Sequence, residues 1–234
     1  MSYQKIISYL KNMSDKEIAG HAQKYFKTAE GEYGHGDKFL GIRVPMLRSA
    51  VKLFRETPLS EIEKLLKSEY HEVRLFSLLL LVHQFSKGDD EKKQRIYHLY
   101  LKHTRFINNW DLVDSSAPGI IGNWLLDKDR SVLYQLSEST QLWERRIAII
   151  ATASFIRIGQ FNDTLKLSKH LINDPEDLIQ KAVGWMLREV GNRDFAAEEN
   201  YLKNNYKKMP RTMLRYSIEK FDQGLRKAYL KGEI

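Results

Sequence analysis

Positively charged residues recur at a nearly constant spacing along this chain, each near the start of an apolar stretch with helical periodicity. They are Arg74, Arg146, Lys181 and Arg215, in the runs HEVRLFSLLLL, WERRIAIIATA, DLIQKAVGWML and RTMLRYSIEKF. Their separations of 72, 35 and 34 residues fit one period with a single repeat skipped. Such a period is typical of stacked helical hairpins. The pattern therefore predicts a helical repeat that turns a basic side chain to the same side each time.

The rest of the chain fits this interpretation, because almost every segment has helical apolar spacing and none shows sustained strand alternation. We predict an all-α, HEAT-like repeat solenoid of antiparallel helix pairs with a concave basic face. It would form a single domain over residues 1–234, with an N-terminal helical cap (1–58) and about five hairpins (60–230). A generic all-α bundle without superhelical order is the alternative. The predicted hairpins pair 60–68 with 71–87, 90–106 with 109–127, 130–139 with 142–158, 162–172 with 176–190, and 195–208 with 210–230.

Local signals place some of the helix boundaries. Ser14-x-x-Glu17 and Ser60-x-x-Glu63 have the form of capping boxes and predict helix starts. Residues 29–41, AEGEYGHGDKFLG, form a glycine-rich segment too long for a simple hairpin turn and match no phosphate-loop motif. This segment is predicted to be an irregular loop.

Composition narrows the class of protein. The chain has 38 Lys and Arg against 30 Asp and Glu, a net charge of +8, which favours partners that carry phosphate. Cysteine is absent, so a disulfide framework, a thiol nucleophile and a cysteine-based zinc site are excluded. His98 and His103 are five residues apart, a spacing that suits no metal pair on a helix. We expect a soluble, cytoplasmic protein, because no signal peptide or long apolar run is present. We also expect it to use no metal or cofactor.

The skipped repeat near residue 110 contains the sequence NNWDLVD, an aromatic and acidic interruption of the basic pattern. Trp110 and Asp114 are four residues apart and share one face of a helix, as do Lys181 and Trp185. If the inner helices keep their register, these four residues converge with Arg146. Indole rings attract cations and stack on bases. A carboxylate in a cationic surface repels phosphate, so its natural role is to stabilise positive charge that develops in a substrate.

Structural alternatives exist for each of these residues. Tryptophans are more often part of a core than of a ligand site. Asp111 has the position of an acid that interacts with a helix N-terminus. Asp114 could pair with Arg146 in a structural salt bridge. Pro118 cannot donate to the carbonyl four residues earlier, so a kink or a restart of the helix is expected there.

At these residues the chain resembles the AlkD-type family of DNA alkylation repair glycosylases, which are built from HEAT-like repeats. The resemblance covers most of the chain, and WDLVD followed by KAVGWMLRE is its most specific part. The matching segments are GDKFLGIRVPMLR (36–48), NNWDLVDSSAP (108–118), LWERRIAII (142–150), IQKAVGWMLRE (179–189) and MPRTMLRYSIEKF (209–221).

The resemblance implies roles for individual residues. Asp114 would be the catalytic carboxylate, and Trp110 and Trp185 would be cleft tryptophans that contact the DNA backbone around the lesion. Arg146 would lie near the lesion phosphates, and Arg188 would hold DNA.

Four further cations complete the predicted DNA-binding set. Lys38 and Arg43 lie in a segment that the resemblance places near the DNA path. Lys181 and Arg215 belong to the basic register itself.

The resemblance also implies a reaction: hydrolysis of the N-glycosidic bond of cationic purines alkylated at N3 or N7 in duplex DNA, as in base excision repair. The protein would act as a monomer on DNA in the bacterial nucleoid. One alternative is a HEAT-repeat module that binds distorted or branched DNA without catalysis. Another is a scaffold for protein partners, with the tryptophans as hot spots.

Overall fold

The computed structural model describes residues 2–234, which are mostly helical apart from turns and one long loop between residues 25 and 44. These residues form no β-strand, only an isolated parallel bridge between Lys38 and Tyr70. The predicted all-α class is therefore confirmed. No described helix is both long and apolar enough to cross a bilayer. The chain forms two compact units, one up to Ile120 and one from Ile121 to Ile234. The single domain over residues 1–234 stays a prediction.

The first unit is organised around its longest helix. Its helices are α1 (Tyr3–Lys11), α2 (Lys16–Tyr25), α3 (Val44–Phe54), α4 (Leu59–Leu66), α5 (His71–Lys87), α6 (Asp90–Lys102) and α7 (Trp110–Ala117). Helix α5 packs against α3, α4, α6 and α7, and every residue from His71 to Leu81 is buried. A helix that is apolar on nearly all sides needs partners on all sides, which explains its central place.

The second unit is organised around α12 in the same way. Its helices are α8 (Ser131–Ser137), α9 (Leu142–Ala151), α10 (Ala153–Arg157), α11 (Asn162–His170), α12 (Asp177–Gly191), α13 (Phe195–Asn205), α14 (Arg211–Ser217) and α15 (Gln223–Lys231). Helix α12 packs against α9, α11, α13 and α14. At Gly184 an added Cβ would lie 2.5 Å from the carbonyl oxygen of Met213, so this glycine permits the close approach of α12 and α14.

Several predicted helix boundaries are wrong in detail. The cap of α2 is Asp15, whose Oδ1 accepts hydrogen bonds from the amides of Glu17 and Ile18, at 2.9 and 3.0 Å, so Ser14 is not the cap. Helix α4 begins at Leu59, before Ser60, and has no side-chain cap. The long last helix predicted over 210–230 is divided, because α15 starts again with its own cap, Asp222.

Pro118 ends α7, and a π-helical turn over Pro118–Gly122 follows it. The predicted interruption of the helix is therefore confirmed. Since proline has no N–H to donate to the carbonyl one turn earlier, the regular α-helical ladder cannot continue through it.

The glycine-rich segment 29–41 is an irregular loop, as predicted, and its end is held from α5. The carboxylate of Glu72 accepts hydrogen bonds from the backbone amides of residues 40–42, at 2.7 to 3.3 Å. Gly41 has φ 80°, and a Cβ added there would lie 1.9 Å from the carbonyl oxygen of Asp15. Only glycine fits this position, because the backbone is left-handed and α2 lies directly against it.

Candidate catalytic residues and nucleic-acid interface

Trp110 and Asp114 both lie on α7, in the first unit. Asn109 caps this helix, and its Oδ1 accepts a hydrogen bond from the amide of Trp110 at 2.8 Å. A side-chain oxygen in this position satisfies a backbone donor that the helix itself leaves unpaired. Trp110 and Asp114 are each partly exposed, so neither side chain is sealed in the core.

The indole of Trp110 packs against two rings from the end of α2. It stacks on Phe26, with centroids 5.5 Å apart and planes at 24°, and it meets the ring of Tyr25 edge-on at 6.0 Å. Tyr25 is itself 66% exposed, so this aromatic group reaches the surface. Trp110 is therefore held by neighbouring rings while part of it remains accessible.

The carboxylate of Asp114 acts on the buried phenol of Tyr100. Burial raises the pKa of Tyr100, and the negative charge of Asp114 raises it further, against the effect of a hydrogen bond to Ser116. The hydroxyl groups of Tyr100 and Ser116 are 3.0 Å apart. The negative charge of Asp114 therefore acts on a group of the first unit, the phenol of Tyr100 on α6.

A buried chain of charged groups joins the loop 29–41, α5 and the start of α7. Arg74 donates to Asp37 at 2.7 Å, and the two ring nitrogens of His71 contact Asp37 and Asp111, at 3.3 and 2.8 Å. Arg74 and His71 are both almost fully buried. The expectation that Arg74 belongs to a basic track is therefore wrong, because its guanidinium is enclosed and neutralised by Asp37.

Asp111 lies in the first turn of α7, where the sequence predicts an acid that interacts with the helix N-terminus. Its Oδ1 accepts a hydrogen bond from the amide of Leu112 at 2.9 Å, which agrees with that prediction. Its Oδ2 binds His71, a contact that the prediction did not include.

An apolar cavity of about 560 Å³ opens beside this chain. Aromatic and aliphatic side chains from α2, α3 and α5 form most of its wall, and the polar groups His71, Glu72 and Asp111 lie at one side. His71 and Glu72 are nearly fully buried. The carboxylates of Glu72 and Asp111 already accept hydrogen bonds from backbone amides.

The other predicted cations of the first unit are exposed. Lys38 forms an ion pair with Glu69 at 2.6 Å, and both side chains are more than half exposed. Arg43 precedes α3 as its N-cap residue and lines the apolar cavity. Exposed ion pairs contribute little to stability, so Lys38 can exchange Glu69 for another anion at small cost.

In the second unit, Arg146 is buried on α9 and anchored to α12. Its Nη1 donates to the carbonyl oxygen of Leu178 at 2.5 Å. Lys181 and Trp185 follow on α12, one turn apart, and both are partly exposed. The ammonium of Lys181 pairs with Asp177 at 2.7 Å.

Of the other predicted residues of this unit, Trp185 and Arg188 each contact an acid. The indole N–H of Trp185 donates to Glu189 at 3.0 Å, one turn further along α12. Arg188 forms an ion pair with Glu219. Arg215, on α14, is exposed to solvent. Cations from both α12 and α14 therefore reach the surface of the second unit.

The family model of the DNA alkylation repair enzymes matches residues 6–221 of this chain. The chain belongs to the DNA alkylation repair enzyme family. Its fold is also similar to a solved structure described as a predicted DNA alkylation repair enzyme from Enterococcus faecalis. That match has a TM-score of 0.71 and covers 90% of this chain and 98% of the other, at 18% sequence identity. No curated protein matches the chain.

Membership of this family gives the protein a role in the repair of alkylated DNA. In this alkylation repair enzyme, helix α7 carries the tryptophan and the carboxylate that the sequence singled out. The His71 chain beside them has no sequence signal, since Asp37 and Asp111 lie 34 and 40 residues from His71. Only the fold of the first unit brings these groups into contact.

Proposed function

We propose that this DNA alkylation repair enzyme is a monofunctional DNA glycosylase. It would hydrolyse the N-glycosidic bond of cationic purines alkylated at N3 or N7. The observation that carries this proposal is the pair on α7: a partly exposed carboxylate, Asp114, one turn from a partly exposed indole, Trp110. Membership of the DNA alkylation repair enzyme family supports alkylated DNA as the substrate.

The chemistry of the substrate explains why one carboxylate suffices. An alkylated purine already carries a positive charge, so the electrons of the C1′–N bond neutralise the base as it leaves. No general acid is required, unlike in glycoside hydrolysis, where a poorer leaving group requires a second carboxyl group. The deoxyribose then carries oxocarbenium-like charge, which Asp114 stabilises through its own negative charge. Water adds at C1′ and loses a proton, either to Asp114 or to solvent.

The other predicted residues would bind the duplex. Trp110 and Trp185 would contact the DNA backbone around the lesion. Arg188 would neutralise a phosphate close to it, and Arg146, which is buried and donates to Leu178, would contribute its positive charge from beneath the surface. Lys38, Arg43, Lys181 and Arg215 would extend this contact along the DNA, as the salt-dependent part of binding. The protein would do this as a monomer, without metal or cofactor.

The test is the release of free base from DNA. Methylated duplex DNA is incubated with the protein, and 7-methylguanine and 3-methyladenine in the supernatant are measured by mass spectrometry. Wild-type protein should release base, and Asp114→Asn should release almost none while still binding DNA. Asp90→Asn, which removes an exposed acid at the start of α6, serves as the charge-matched control.

Each outcome distinguishes the alternatives. If the wild-type protein binds damaged DNA tightly and frees no base, the non-catalytic DNA-binding function replaces the proposed one. If Asp114→Asn loses DNA binding together with activity, Asp114 has a structural role, and the proposed catalytic carboxylate is wrong.

A further inference from the structure

His71 is the centre of a buried ionic chain that ends at the helix carrying Trp110 and Asp114. Its side chain is 2% exposed, and those of its two partners, Asp37 and Asp111, are 6% and 13% exposed. Both ring nitrogens have a carboxylate partner, at 3.3 Å for Nδ1 and 2.8 Å for Nε2. A neutral imidazole has only one N–H, so it would turn a lone pair towards one of these carboxylates. The geometry therefore fits the imidazolium form.

The charges around His71 come from each element packed against it. The loop supplies Asp37, α7 supplies Asp111, and α5 itself supplies Arg74 and Glu72. The carboxylate of Glu72 already accepts hydrogen bonds from the backbone amides of residues 40–42.

Other polar groups complete the surroundings of His71. Asn108 contributes a neutral amide, which donates to Asp37 at 3.3 Å. His21 and Arg43 line the adjacent cavity.

Two cations, His71 and Arg74, thus balance the carboxylates of Asp37 and Asp111. Burial works against the imidazolium, but the hydrogen bonds to Asp111 and Asp37 outweigh it and raise the pKa of His71 to about 8.

Two separate contacts connect His71 to Trp110. The first runs through the backbone, because Asp111 follows Trp110 directly and also binds the amide of Leu112 in the first turn of α7. The second runs through the rings, since Phe26 lies 4.7 Å from His71 and 5.5 Å from Trp110, centroid to centroid. A change in His71 therefore reaches the start of α7 by both routes.

We infer that His71 is a positioning residue: through Asp111 and Phe26 it fixes the first turn of α7, and with it Trp110 and Asp114. This inference rests on the proposed glycosylase function. A carboxylate stabilises developing charge only at a defined distance, and a displacement of about 1 Å can cost on the order of a hundredfold in rate. Loss of the His71 charge turns a lone pair towards one of its two carboxylates, Asp37 or Asp111, which weakens the connection that holds the start of α7.

The test compares His71→Gln with His103→Gln, because both remove a buried histidine that is paired with an acid. His103 binds Glu63 at 2.8 Å, at the end of α6, and does not contact Asp111. Single-turnover base release and DNA affinity are measured from pH 6.5 to 9.5, with protein-free DNA subtracted. We expect His71→Gln to lower the release rate by about ten- to a hundredfold, with a much smaller change in DNA affinity. His103→Gln should keep the wild-type rate per folded molecule.

The pH profile provides a readout that a purely structural role would not change. The wild-type and His103→Gln rates should fall as the pH rises through about 8, whereas the low rate of His71→Gln should stay flat over that range. Equal losses in the two variants, or a wild-type rate in His71→Gln, would overturn the inference.

The ¹⁵N-indole resonance of Trp110, assigned with Trp110→Phe, separates this inference from the proposed function. In wild-type protein it should shift with the same midpoint as the ring resonances of His71. Apart from the Trp110→Phe variant used for the assignment, this measurement needs only wild-type protein and no catalysis. If the wild type releases no base, the glycosylase proposal fails, but this titration still decides the positioning role. A Trp110 resonance that does not follow His71 contradicts the inference.

Discussion

The indole of Trp110 stacks on the ring of Phe26, with centroids 5.5 Å apart and planes inclined by 24°. Phe26 follows the last residue of α2, whereas Trp110 is the first residue of α7. Aromatic pairs of this kind contribute about 0.5–1.5 kcal/mol beyond the area they bury. The contact holds the indole in one orientation, and Trp110 owes its placement to a ring that is 84 residues away in the sequence.

Replacement of Phe26 by leucine should therefore affect activity more than stability. We expect base release to fall about tenfold, since the indole loses its stacking partner, while the free energy of unfolding falls by about 1–2 kcal/mol. Phe54→Leu is the matched control, because the ring of Phe54 contacts Tyr9 and Phe76 in the same unit rather than the rings around Trp110. It should lower stability to a similar extent and leave base release per folded molecule nearly unchanged. Equal losses of activity would show that the Trp110–Phe26 contact has no special role.

The stability of the first unit should depend on the charge of His71. The pKa of His71 is raised to about 8 in the folded protein, against about 6.5 when unfolded. Its stabilising contribution is therefore complete below about pH 6.5 and is lost as the pH rises through about 8, with a size on the order of 2 kcal/mol. Chemical denaturation between pH 6 and 9 measures it, and His71→Gln should remove this part of the pH dependence.

The charge of Asp37 makes stability depend on pH in the opposite direction from that of His71. Burial opposes its ionisation, but the hydrogen bond from His71 and the charge of Arg74 outweigh burial and lower its pKa below the usual value. Its contribution is present above its ordinary pKa of about 3.8 and is lost as the pH falls through the lowered value. A second decline in stability is thus expected on the acid side. A flat profile there would contradict the strength of the Asp37–His71–Arg74 contact.

Glu198, on α13 in the second unit, should destabilise the protein at high pH. It is 2% exposed, and burial raises its pKa to about 8, although the charge of Arg188 partly offsets that effect. As the pH rises from about 4.5 to 8, the unfolded state loses this proton before the folded state does, so stability falls. Glu198→Gln should raise the melting temperature at pH 8.5 by several degrees and have little effect near pH 4.5.

The neighbouring acid provides the control for that experiment. Glu199 pairs with Lys203 at 3.0 Å, and its side chain is 26% exposed. Glu199→Gln should therefore change stability by no more than about 0.5 kcal/mol at either pH. If both variants show the same pH dependence, Glu198 is not the group responsible.

The DNA contact predicted for Arg215 can be tested through the salt dependence of DNA binding. Arg215→Gln should weaken binding to alkylated duplex DNA and reduce the slope of log affinity against log salt by about 1, as for the loss of one phosphate contact. Lys203→Gln removes the same charge from α13, where the cation is paired with Glu199. Fluorescence anisotropy at several salt concentrations compares the two variants. Identical slopes for Arg215→Gln and wild type would exclude Arg215 from the interface.

Local sequence predicted the helical architecture well, because apolar periodicity and proline act over a few residues. The all-α class and the interruption at Pro118 are confirmed, and Trp110 and Asp114 share one helix, as their spacing requires. Helix starts were less predictable, since neighbouring residues compete for the cap: Asp15 takes the position that the motif assigns to Ser14.

Local sequence did not predict which individual charges are buried and paired. Arg74 has the spacing of a basic surface residue, but the fold encloses it against Asp37, 37 residues away. The contact of His71 with Asp111 and the burial of Glu198 likewise have no local signature. The sequence by itself determined which residues form helices and which side chains share a helical face, because these properties depend on spacing along the chain. Only the tertiary structure decided which charges are buried and paired, because desolvation and ion pairing depend on neighbours that the chain brings together by folding.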